Sequence, residues 1–189
     1  MSRLGWCLAA CACNGGDPWD DVGPAQPGSL RVELGTTDGL EVEEAVVGLD
    51  AIDVDRCKAR PSHTLLGGDW WVVPPMPVLL EGGPWCSLSV QFQGPLEVAG
   101  AGWVGELELP DLELVVDRDL AVDGDAFVLR LGDDGWLSEA DLEEGAIAPG
   151  DPAHDRVVGR LVGAAAVYRD DDDGALTDDE LARGPLTAD

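Results

Sequence analysis

The sequence predicts a mainly β protein, an antiparallel β-sandwich, and three observations carry that reading. Apolar residues return at every second position in several short stretches. That is the period of a half-buried strand, because successive side chains point to opposite faces of a sheet. Gly and Pro stand between those stretches, where turns are needed. Finally, 45% of the 189 residues are hydrophobic and seven are Trp. A chain of this length can bury roughly 70% of the surface its unfolded form exposes.

Taken in order, Leu30, Val32 and Leu34 alternate with polar residues, and Ile52, Asp53, Val54 and Asp55 do the same. Residues 40–55 read as strand, although GLEVEEAVVGL also fits a helix over part of its length. Cys86 to Gln93 gives the clearest alternation, followed by Trp103, Gly105, Leu107 and Leu109. Leu112 to Val116 and Ala126 to Leu131 supply two further strands. Punctuation falls at Gly35, Gly82-Gly83-Pro84, Gly94-Pro95 and Pro110. The string Gly100-Ala101-Gly102-Trp103-Val104-Gly105 matches the dinucleotide fingerprint by letter. A strand pattern follows it where that motif needs a helix, so it reads as a glycine-rich hairpin or bulge.

Charge narrows the function classes. The 11 basic and 38 acidic side chains leave a formal charge of −27. Nothing in such a chain neutralises a run of phosphates, which argues against nucleic acid as a partner. It argues equally against charge-driven docking on anionic lipid. No apolar run approaches the roughly 18 residues a spanning helix needs. Lys58 is the single lysine beside ten arginines. A GC-rich genome and a high-salt habitat would each produce that acidity and that bias.

At the N-terminus, Arg3 precedes a short apolar stretch that ends in Leu8-Ala9-Ala10-Cys11. This resembles the lipobox of bacterial lipoprotein precursors. The resemblance implies a signal over residues 1–10, acylation of Cys11 and a membrane contact through that lipid anchor alone. Residues 11–28 are rich in Gly, Pro and Asp and form the expected tether. The folded body would then stand in an oxidising compartment, where Cys57 and Cys86 could pair across a loop of roughly 30 residues. Cys13 is left as the odd thiol. The cysteine and histidine spacing does not suit zinc.

The C-terminal third carries an internal repeat. Residues 126–145 align without gaps on residues 165–184, matching Arg130 with Arg169, Asp134 with Asp173, Gly135 with Gly174, Leu137 with Leu176 and Asp141 with Glu180. Each copy reads as strand, acidic turn and short helix, either appended to a sandwich over residues 29–125 or part of the same domain. The second copy resembles the calcium loop of EF-hand and dockerin-type repeats. That resemblance implies calcium held by Asp171, Asp173, the Ala175 carbonyl, Thr177 and a bidentate Glu180, with Asp170 as first ligand in a loop one residue tighter, since calcium collects six to eight oxygens from alternating positions. Arg169 stands where the first ligand is normally Asp. The first copy offers fewer oxygens, from Asp134, Trp136, Ser138 and Asp141. The same letters Ser138-x-x-Asp141 and Thr177-x-x-Glu180 also spell capping boxes, which need no metal.

Trp70 and Trp71 are candidates for an exposed aromatic platform that would bind a glycan or a protein; core packing is the competing role. His63 and His154 are the only histidines, and no nucleophile or metalloprotease motif accompanies them. The sequence therefore points to a non-enzymatic, lipid-anchored envelope protein with a weak calcium loop and a structural or adhesive role. A polysaccharide or another envelope protein is the expected partner. The alternative is a metal-free binding module that uses Trp70 and Trp71.

Overall fold

Where the sequence alternates, the computed structural model forms strands; it describes residues 27–56, 63–122, 124–171 and 176–187. In chain order these are β1 (Gly28–Leu34), β2 (Glu44–Arg56), β3 (His63–Val73), β4 (Val78–Leu80), β5 (Gly83–Gly100), β6 (Trp103–Glu108), β7 (Leu112–Val122), β8 (Ala126–Leu131), β9 (Ala146–Ile147) and β10 (Ala166–Asp170). Two short helices, α1 (His154–Gly163) and α2 (Asp178–Ala182), flank β10. The smaller sheet has the order β10-β8-β1-β4 and the larger the order β3-β2-β5-β6-β9. One edge of the long β5 holds two partners, β7 along residues 83–92 and β6 along residues 95–100.

The inward faces of both sheets join in one apolar cluster, to which Leu30, Ile52, Val90, Phe92 and Leu129 belong. Trp85 of β5 meets Phe127 of β8 across the sandwich, with ring centroids 6.2 Å apart and planes tilted by 32°. Trp136, Val157 and Leu161 belong to the same cluster. Both repeat copies are thus built into the sandwich, since their strands β8 and β10 complete the smaller sheet.

The mainly β sandwich agrees with the sequence; the strictly antiparallel pairing does not. β1 pairs β8 in parallel, and the short β9 runs parallel to β6. Parallel neighbours need a long crossover, and all of the larger sheet except β9 lies in the chain between β1 and β8. Gly94-Pro95 does not end a strand either. β5 runs through it beside a register shift in β2 between Val47 and Leu49. A Cβ at Gly48 would collide there with the Gln93 carbonyl, and Pro tolerates a strand at such an irregularity. β3 escaped the sequence reading because Gly67-Gly68 interrupts its alternation. The Gly100–Gly105 string is a hairpin: Gly100 pairs Trp103 across Ala101-Gly102, and Gly102 takes φ +81°.

Candidate functional site

The two repeat copies meet as a ladder. β8 and β10 pair antiparallel, with Ala126 opposite Asp170, Val128 opposite Tyr168 and Arg130 opposite Ala166. Exchanging the copies leaves this register unchanged, which is the signature of a local two-fold relation. The acidic turns that follow the strands consequently lie at opposite ends of the pair, roughly five residues of strand apart, about 17 Å. They do not sit side by side.

In the second copy the end of β10 delivers Asp170 and Asp171, and the start of α2 delivers Glu180. One carboxylate oxygen from each of the three lies within 4.8 Å of the other two. Asp170 and Glu180 are buried and Asp171 is exposed. Glu180 closes a capping box: its Oε2 accepts the Thr177 N–H and the Thr177 hydroxyl, each at 2.8 Å. Its Oε1 accepts the Asp171 N–H at 2.7 Å. Hydrogen bonds from the Thr177 backbone first, then from its hydroxyl, hold the Glu180 carboxyl below its ordinary range against the opposing effect of burial. Asp170 Oδ2 accepts from Arg31 Nη1 at 2.6 Å, and Arg31 Nε donates to Glu33 at 2.8 Å. Arg31 reaches Asp170 from β1, across β8, where the residue opposite Asp170 is the small Ala126. Burial works against its charge, but these two acids outweigh it and raise its pKa.

In the first copy the equivalent acid is solved differently. Asp141 is buried in a short 3-10 turn (Glu139–Asp141) and accepts the Ser138 N–H at 3.0 Å and the Ser138 hydroxyl at 2.8 Å. Arg156 donates to its Oδ1 at 2.6 Å and Arg160 to its Oδ2 at 3.1 Å, both from α1. Burial pushes the Asp141 carboxyl up, but the bonds from Arg156 and Ser138 win and bring it down to about 2. Asp134 takes no part in this cluster. Its carboxylate accepts from the Thr36 hydroxyl at 2.9 Å and from Arg130 at 2.8 Å, which holds it below its ordinary range. Trp136 is buried and donates to the Gly35 carbonyl at 2.7 Å.

Of the metal ligands expected from sequence, Asp170, Asp171 and Glu180 are brought together, while Thr177 is engaged in the cap. Asp173 and Ala175 lie outside the described residues, as do Cys11 and Cys57. Cys86 on β5 is disulfide-bonded, and its partner also falls outside the described residues. The aromatic platform needs correcting. Trp70 and Trp71 are neighbours on β3, so strand alternation sends them to opposite faces. Trp70 is 5% exposed and its indole N–H donates to the Met76 carbonyl at 2.6 Å, whereas Trp71 is 38% exposed. Sequence reasoning missed Arg31, Arg156 and Arg160. The pair on α1 stands four apart, one helical turn, but nothing local to it names an acid fifteen residues upstream.

No known protein family, curated protein or solved structure matches this chain.

Proposed function

We propose that the chain is a lipid-anchored protein of the cell envelope with no chemistry of its own, whose C-terminal turn holds one calcium ion weakly. The convergence of Asp170, Asp171 and Glu180 carries the metal reading. Oxygens that share a calcium ion at 2.3–2.6 Å stand no more than about 5 Å apart, and this triad meets that limit. Glu180 spends three of its roughly four lone-pair sites on hydrogen bonds and keeps one for an ion. The envelope reading rests on Leu8-Ala9-Ala10-Cys11, and the disulfide at Cys86 suits an oxidising compartment.

Calorimetric titration of the chelator-stripped protein tests the site. One equivalent should bind with a Kd of roughly 10⁻⁴–10⁻³ M, as in extracellular modules. At tenfold over Kd the stabilisation is about 1.4 kcal/mol. Asp171→Asn should abolish the heat and the thermal shift, and Asp134→Asn should keep both. No heat in the unaltered protein reduces the turn to a capped helix start. For the anchor, Cys11→Ser should release the protein from membranes, and continued retention would remove that assignment.

A further inference from the structure

Away from the acidic turn, the outer face of the larger sheet carries a patch that the calcium reading does not use. Two adjacent rows of side chains cross β2, β5 and β6. In the first, Glu44 stands opposite Ala99, and Ala99 opposite Val104; in the second, Val46 stands opposite Glu97, and Glu97 opposite Glu106. Residues paired directly across a ladder share a face, so these six form one surface. They line a groove of about 500 Å³. Val104, at the β6 end of the first row, is 58% exposed, a large apolar side chain left in water.

Glu97 and Glu106 face each other across the ladder, an arrangement that costs stability because like charges are held opposite. Among the described residues, no cation forms a salt bridge with Glu44, Glu97 or Glu106. Beyond β6 the ladder is nearly open, since β9 pairs only Val104 and Gly105. Aliphatic and anionic side chains thus stand side by side across this surface. That combination matches a side chain with an aliphatic stem and a cationic head, which is how Lys and Arg cover apolar surface while keeping the charge at the edge.

The geometry points to this groove as the docking surface for a basic, extended segment of a partner protein, with Lys or Arg stems laid over Val46, Ala99 and Val104 and their heads set between Glu97, Glu106 and Glu44. The partner relieves the carboxylate repulsion that the free protein carries. The inference stands apart from the calcium site and does not require it.

The probe is a short acetylated peptide alternating Arg and Val, titrated into the isotope-labelled full chain at moderate salt and followed by amide chemical shifts. Shifts should centre on Ala99 and Val104. The Glu97→Gln/Glu106→Gln variant should bind about tenfold more weakly, because both charge partners are gone. The Asp55→Asn/Asp117→Asn variant removes equal charge from an exposed row elsewhere on the same face and should stay within about twofold. Val104→Ser should weaken binding about threefold through the lost apolar contact. Equal weakening by the two double variants would mean that the overall negative field alone attracts the peptide. That result, or an absence of shifts at Ala99 and Val104, overturns the proposal.

Discussion

Asp141 and Glu180 stand at the same position in the two repeat copies and both are buried, yet guanidinium groups grip Asp141 while backbone and hydroxyl donors hold Glu180. The repeat therefore kept its buried carboxylate and changed the means of neutralising it. In the first copy α1 brings the positive charge within the chain. In the second, Thr177 and the Asp171 N–H hold the carboxylate instead.

This difference predicts an acid-sensitive first copy. The Asp141 carboxyl is lowered from 3.8 to about 2. Its contribution is complete above pH 4 or so and is lost as pH falls toward 2, because the unfolded chain takes up the proton first. The contribution is about 2 kcal/mol by linkage. Arg156→Gln/Arg160→Gln should raise that carboxyl and move the acid-unfolding midpoint, read by tryptophan fluorescence, to higher pH. The half-exposed arginines limit the loss at neutral pH to about 1–2 kcal/mol. An unchanged acid midpoint would show that Ser138 alone holds the charge.

The caps give a second prediction. Thr177 accepts from the α2 backbone and donates to Glu180. Thr177→Ala should cost about 1 kcal/mol in urea denaturation, and Thr177→Ser only a few tenths. Equal effects from the two substitutions would mean that the methyl group, not the hydroxyl, matters here.

Third, the two neighbouring tryptophans should behave as opposites. Trp71→Phe should lower the iodide-quenchable fluorescence at little cost to stability. Trp70→Ala should destabilise by about 3–5 kcal/mol, the range for emptying a core aromatic site. A large loss from Trp71→Phe, or quenching left unchanged by it, would contradict the faces assigned to the pair.

Fourth, the two turns should respond independently. They lie at opposite ends of the β8–β10 pair, so any calcium isotherm should show a single class of site with a Hill coefficient of about one. Sigmoidal binding measured by calorimetry would contradict that separation.

Local pattern was legible in the sequence, and long-range partnership was not. Alternation at Leu30–Leu34 and Cys86–Gln93 became strand because each side chain has only two faces to choose between, and the apolar run Ala126–Leu131 became the interior strand β8. The repeat was equally visible, as was the hairpin at Gly100–Trp103. β3 was hidden by two glycines that carry no face information. The parallel pairing of β1 with β8, and the reach of Arg31 to Asp170, depend on where distant strands settle in the sheet. Of the site, the triad could be assembled from loop spacing, but the arginines that set the charge of each copy come from other elements.

β1 has its ladder partners far along the chain: β4 lies roughly fifty residues later and β8 roughly a hundred. β1, the earliest strand among the described residues, is therefore among the last to be fully paired. Contacts so distant in sequence close slowly, because loop entropy must be overcome before the pairing rewards it. Until β8 arrives, the edge of β1 opposite β4 stays open. A chain emerging N-terminus first thus has reason to need a holding chaperone that covers this edge until residue 131 has appeared.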